Sequence, residues 1–336
     1  MLTLISRRLL QLPIILLAVY TLTLTLAWAI PGSPMDKGEG RLPPKEVQQA
    51  IEARYNLDSF WSFYFSYLNN ASGLAHIRGR IDGTHTRQDA QMQAAGLAPP
   101  TRFVFDLGPS LQYEDWRVNE ILAGALPVSI LIGACAIIIA LVIGLTAGVL
   151  GAVRPGSLAD TGTLAVALVG ISLPSFVVGT LLLLVGPVLL GIGSVAAWGR
   201  PQDILLPAIT LSLPFAAYIA RLTRMGMIDA LGTDFIRTAR AKGLPESRVV
   251  LKHALKNAFL PALSYLGPAT ALAMTGSFVV ERVFTVPGLG QHFVNAVLNK
   301  DLFLIMGVVL VFSTLLILLN LAVDVLYRVV DPRIQD

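Results

Sequence analysis

The chain has 336 residues, 54% of them hydrophobic and 14% charged, with a formal net charge of +4 and one cysteine. An ordinary soluble domain carries roughly 25% charged residues, so this composition, with a mean hydropathy of +0.69, excludes that class and indicates an all-α polytopic membrane protein. Cytoplasmic loops collect Lys and Arg, which accounts for the positive charge without nucleic acid; Cys135 lies alone in an apolar run and can form no internal disulfide.

Crossing the hydrocarbon takes about 20 helical residues, and the apolar runs lack the alternation of barrel strands. The first run, Leu9 to Ile30, follows Arg7 and Arg8. Its Ala27-Trp28-Ala29 resembles a signal cleavage site, but a signal's apolar region is about 7–15 residues, so the run is expected to stay as a span. An extracytoplasmic segment, residues 31–120, follows. It opens with the helix-breaking IPGSP and includes LPPKEVQQAIEARYNL, which predicts a short amphipathic helix. The aromatic cluster Phe60 to Leu68 reads either as rings at headgroup depth or as a docking surface for an outside partner. Residues 71 to 102, richer in Gly, Ala, Gln and Arg, read as a surface insertion.

Residues 121–336 are expected to form the core transmembrane domain. Its spans are Ile121 to Val153, Thr161 to Gly199, Ile204 to Ala220, Ala258 to Val280 and Leu302 to Val323, giving six in all. The Thr161 to Gly199 run is barely long enough for two spans. Pro187 and Gly191 to Gly193 predict one helix with an irregular outer end. Arg7, Arg8, Arg154, the cations from Arg221 to Lys256, and Arg328 with Arg333 all fall on one side, which places both termini in the cytoplasm.

Several chemistries are missing. The dipeptide Gly-Lys is absent, so the chain has no phosphate-cradling P-loop. His76, His85, His253 and His292 lie outside the spans without metal-ligand spacing. No Asp, Glu, Lys or Arg sits centrally in a span, where coupled carriers commonly keep theirs. No catalytic, metal or cofactor residues are assigned, and energy for any transport must come from another protein.

Residues 237 to 257, RTARAKGLPESRVVLKHALKN, stand out within the charged loop 229–257. Asp234 is placed like an N-cap, and FIRTARAK reads as two helical turns. Gly243 suits a left-handed helix end, and Pro245 suits the start of a second helix with Glu246 and Ser247 at its positive end. The loop therefore predicts a helix, a glycine corner and a second helix running into the fifth span. Topology alone would require only the charge.

This stretch resembles the EAA loop of ABC importer permeases, in which a glycine follows the EAA triplet after three residues. Arg237, Thr238 and Ala239 hold the triplet positions here, and the glycine is Gly243. Leu255-Lys256 stands where the general pattern has Leu-Pro, a departure shared by the peptide- and nickel-type branch. RRLLQLP, AIPGSP, DLGPS, ISLPS, ERVFTVPGLGQHFVNAVLNKD and VDVLYRVVDPRI are similar to that branch over nearly the whole chain. LPPKEVQQAIEARYNL, GPSLQYEDWRVNEIL and SYLGPA look most like the B-type subunits of oligopeptide permeases.

The resemblance implies a type I ABC importer transmembrane fold and a multi-pass protein of the bacterial inner membrane. It implies a second homologous permease subunit, two ATP-binding subunits that use the ATP, and an extracytoplasmic peptide-binding protein that delivers peptide. It also implies that Arg237, Thr238, Ala239, Arg240, Ala241, Lys242 and Gly243 form a coupling helix seated on an ATPase subunit. Ser172, Ser175, Ser212, Tyr218, Ser264 and Tyr265 read either as pathway lining or as residues of helix–helix packing. Two other functions stay open: a same-family permease for dipeptides, nickel chelates or another small solute, and a stand-alone channel or secondary carrier.

Overall fold

A computed structural model describes residues 2–31, 44–98, 101–113, 115–275 and 277–330. Gly32 to Pro34 of IPGSP, Leu42 and Pro43 of the predicted amphipathic helix, and Arg333 lie outside the described residues. Among the described residues the structure is helical, with one isolated bridge between Pro109 and Arg117.

The helices are α1 (Leu2–Ala29), α2 (Lys45–Tyr55), α3 (Phe60–Ala71), α4 (Leu74–Ile81), α5 (Thr84–Ala94), α6 (Val118–Val153), α7 (Leu158–Ser172) and α8 (Ser175–Leu183). They continue with α9 (Leu205–Leu231), α10 (Asp234–Ala241), α11 (Glu246–Arg248), α12 (Leu255–Thr275), α13 (Phe278–Phe284), α14 (Leu289–Leu298) and α15 (Leu302–Val330). Four described helices are long and apolar enough to cross a bilayer, and the number is six when each of two bent helix pairs counts as one span.

One bent pair corrects the expectation of a single helix over the third apolar run. It breaks between Ser172 and Ser175, and its halves meet at 103°. The cause is local: Pro174 excludes the preceding residue from helical geometry, and Leu173 is extended at φ −83, ψ 128. The expected irregular end is present too, since Gly191 and Gly193 both have positive φ. The second pair, α11 to α12 with α13, bends by 46°.

The chain divides into two compact units, one of residues 13–125 and 292–313, the other of residues 1–12, 126–291 and 314–336. In the first, α3 runs antiparallel to α1, with Phe60 and Phe63 against Trp28 and with Tyr64 and Tyr67 against Tyr20. The Tyr20 hydroxyl donates to the Tyr64 carbonyl at 2.7 Å. The aromatic cluster is thus split: Phe63, Tyr64 and Tyr67 build this unit's core, while Trp61 and Phe65 are exposed. Buried Asp301 accepts from the Ser110 hydroxyl at 2.5 Å and from the amides of Leu111, Gln112 and Leu304. Burial pushes its carboxyl above the ordinary carboxylate range, and those hydrogen bonds offset part of the rise.

In the second unit, small residues let helices approach backbone to backbone. Gly144 and Gly148, one turn apart on α6, face α9. A Cβ on Gly144 would stand 2.8 Å from the Ala216 carbonyl, and one on Gly148 would stand 2.7 Å from the Ala220 carbonyl. Gly226 of α9 meets α12 equally closely, with the Ala258 carbonyl 2.6 Å from where its Cβ would lie. The α6–α9–α12 stack carries the apolar core around Ile132, Ala136, Ala140, Ile219, Ala262 and Ala269.

Candidate functional site

The charged loop folds as a built corner. The residue at the N-cap of α10 is Thr233, with φ −81 and ψ 157, and not the expected Asp234, which is the first helical residue and pairs with Arg237 at 3.1 Å. The helix ends in a Schellman arrangement. The Gly243 amide donates to the Arg240 carbonyl at 2.9 Å, and the Leu244 amide reaches back to the Ala239 carbonyl at 3.4 Å. Gly243 has φ +72, the left-handed conformation the sequence predicts, and space where a Cβ would lie. Pro245 is the N-cap of α11, which continues through a π-helical segment, Val249–Ala254, into α12.

α10 has a sharply two-sided composition. Ile236 and Ala239, three apart and so on one face, are buried against Met227, Ala230, Val249, Val250, Ala254 and Ala258. Of the seven predicted coupling residues, Ala239 therefore packs inside this chain, while Arg237, Thr238, Arg240, Ala241, Lys242 and Gly243 are exposed. Arg240 spans the corner to Glu246 through two hydrogen bonds of 2.6 and 3.1 Å. Exposed Phe235 shares the outer side. The sequence does not single it out, because an aromatic in an apolar chain carries no signal until its neighbours are known.

A second fixed point ties α9 to α7. Arg224 holds buried Asp160 with two bonds of 2.6 and 2.8 Å, and the Gly156 amide donates to the same carboxylate at 2.8 Å. The ends of α7 and α9 are thereby linked three turns before α10 begins.

The six candidate pathway residues separate. Ser212 is fully buried and donates to the Ile209 carbonyl of its own helix at 2.8 Å. Ser172 and Ser175 flank the α7–α8 break. Tyr218 and Tyr265 come together, with ring centroids 5.4 Å apart, and Ser264 is exposed beside them.

Another cluster gave no motif signal as chemistry. Glu281 is 1% exposed. It accepts from Ser129 at 2.7 Å, from Ser277, and from the Gly290 amide at 2.7 Å, while the Leu289 amide donates to Ser129 at 2.9 Å. The PGLG corner at Pro287 to Gly290 is thus wrapped around a buried carboxylate. Among the described residues no group of His, Cys, Asp and Glu is placed to hold a metal ion.

The family model for binding-protein-dependent transport system inner membrane components matches residues 140–336, which include this corner. The chain belongs to that family. It is 40% identical over 338 residues to the oligopeptide transport system permease protein OppB of Escherichia coli (strain K12), covering 100% of both chains. It is 36% identical to the dipeptide transport system permease protein DppB of Bacillus subtilis (strain 168), covering 95% of this chain and 94% of that one. A solved structure of the MetNI methionine ABC transporter, in an inward-facing conformation, matches with a TM-score of 0.50 and 20% identity, over 63% of this chain and 97% of that one. At that identity the likeness establishes the fold alone. The permease is therefore a multi-pass inner-membrane subunit of an ABC importer, which works with ATPase subunits and has no ATPase site of its own.

Proposed function

We propose that the permease is the membrane-spanning subunit of an ATP-driven oligopeptide importer and forms half of its translocation pathway. The observation that carries this reading is the identity with an oligopeptide permease along the whole of both chains, which includes the segment between α1 and α6. The assembly would hold a second homologous permease, two ATP-binding subunits and a peptide-binding protein facing residues 31–120. Both termini and the corner would lie in the cytoplasm, the side the Lys and Arg distribution favours.

In this reading α10 is the coupling helix. Ile236 and Ala239 fasten it to the permease, and its outer side, with Phe235, Thr238, Ala241 and Lys242, meets an ATPase subunit. Closure of the ATPases then biases the spans between two states through a rigid lever rather than a flexible loop. The Arg240–Glu246 brace and the Schellman turn keep that lever's angle fixed.

A second reading within the family takes dipeptides in place of longer peptides and draws on the 36% identity to a dipeptide permease, which is below the 40% to the oligopeptide permease. Uptake decides between them. An auxotroph lacking its own peptide importers, given the permease with its partner subunits, is expected to grow on tri- and tetrapeptides carrying the required amino acid. Growth on dipeptides alone would establish the second reading.

A further inference from the structure

Near its end α9 is fastened to a different neighbour at each of several successive positions. Arg224 reaches α7, where its guanidinium forks onto Asp160 with bonds of 2.6 and 2.8 Å. Gly226 lies against α12, with the Ala258 carbonyl 2.6 Å from where its Cβ would be. Met227 and Ala230 pack in the cluster that holds Ile236 and Ala239 of α10. From Arg224 to Leu231 the helix runs without a proline or a break. The seat of α10 and the grip on α7 are therefore two parts of one stiff rod.

The grip is enclosed. Asp160 is 3% exposed, and its carboxylate also accepts from the Gly156 amide at 2.8 Å. Gly151 of α6 lies against the pair, since a Cβ there would stand 3.2 Å from Asp160 Oδ1 and 3.5 Å from Arg224 Cδ. Further along α7, a Cβ on Gly170 would stand 3.3 Å from the Leu213 carbonyl of α9. α7 is thus held to α9 near both of its ends, and beyond the second lies the extended Leu173 that breaks it from α8. Membrane topology needs only an exposed cation on this side. Nor does stability require the pair, because apolar residues of similar volume often replace a buried ion pair at no loss. What the two-pronged guanidinium adds is a fixed angle and register between the helices.

We propose that Asp160 and Arg224 are positioning residues for transport: they lock α7 to α9, so that a displacement of α10 carries α7 and its break at Leu173 along with α9. The pair touches neither the peptide nor an ATPase; it acts as the joint inside the permease. The proposal rests on the reading of α10 as the coupling helix and deepens it.

Two experiments on the assembled transporter in liposomes test it. Both measure ATP hydrolysis together with uptake of radiolabelled trialanine, or of dialanine on the dipeptide reading. In the first, Asp160→Leu is combined with Arg224→Met, which replaces the pair by apolar side chains. The variant is expected to insert and to unfold near the wild-type temperature. Peptide taken up per ATP is expected to fall by about twofold to thirtyfold, the range for residues that touch neither ligand. A wild-type yield per ATP would overturn the proposal. Failure to insert would make the pair a folding element and overturn it too. In the second, Asp160→Cys and Arg224→Cys are made together with Cys135→Ala, in an assembly otherwise free of cysteine. A short bis-methanethiosulfonate joins the two thiols and a reductant releases them, so each sample is compared with itself. The yield per ATP is expected to be low at first, to rise on joining and to fall again on release. No rise in chains shown by mass to be joined would overturn the proposal. Gly243→Val separates the joint from the coupling helix. A yield lost there but kept in the Asp160→Leu, Arg224→Met variant would defeat the joint alone, whereas a yield kept in Gly243→Val would defeat the coupling reading and the joint with it.

Discussion

Two glycine corners, at Gly243 and at Gly288 to Gly290, solve opposite problems. Gly243 has open space around it and a backbone that side chains resist, at φ +72. Gly290 has no positive φ, but a Cβ there would stand 2.6 Å from the Phe278 Cα and 2.8 Å from Glu281 Oε2. The first glycine serves conformation and the second serves space. The first corner presents charged residues outward, and the second closes on a carboxylate with neutral donors. The exposed corner is defined by its own backbone; the one closed around Glu281 is defined by its neighbours.

Substitutions sharpen the contrast. The largest loss of stability is expected for Gly290→Ala, where overpacking against backbone costs roughly 1–3 kcal/mol. Thermal unfolding of the purified chain in detergent would read it as a lowered transition and a reduced membrane yield. Next comes Glu281→Ala, which strands the Ser129 and Ser277 hydroxyls and the Gly290 amide at about 1–3 kcal/mol. Because the carboxylate is part of what the new methyl would strike, combining the two substitutions is expected to cost less than their sum. Strict additivity in the same unfolding assay would show that the corner and the carboxylate are independent.

At the exposed corner the order of substitutions should follow backbone preference instead of size. Asn visits the left-handed region more readily than Ala, and a residue without that tolerance loses about 1–2 kcal/mol there. Gly243→Asn is therefore expected to retain more uptake than Gly243→Ala, although Asn is larger. The reverse order would assign the site to steric fit. The smallest effect is expected for Arg240→Gln. An exposed ion pair contributes about 0.2–1 kcal/mol, so unfolding should move little, and what movement there is should shrink further in high salt.

Much of the exposed corner is legible in the sequence. Gly243 in the left-handed region, a helix on either side and charge facing outward all follow from local rules that need only neighbouring residues. The Asp234 cap was misplaced by one position because Thr and Asp are both good caps and only the backbone angles choose between them. The third span shows the same limit: ISLPS contains its own break, yet the length of the run and the later glycines give the stronger local signal, at the outer end. The Glu281 cluster was out of reach because Ser129 is 152 positions away in sequence, and a carboxylate next to an apolar run looks like a loop residue. The GxxxG pair Gly144 and Gly148 was available as a pattern, but its partner on α9 was not. Of the pathway candidates, Tyr218 and Tyr265 meet across two helices, and the serines of a membrane helix look alike until burial separates Ser212 from Ser264.

The central claim is that α10 and its glycine end carry energy from the ATPases into the spans. The direct measurement is peptide taken up per ATP hydrolysed by the assembled transporter, with Gly243→Val compared with wild type at equal amounts of inserted protein. The expected result is a variant that inserts and assembles yet hydrolyses ATP with little or no uptake. Uptake at the wild-type rate, with the wild-type yield per ATP, would contradict the assignment of this corner to coupling.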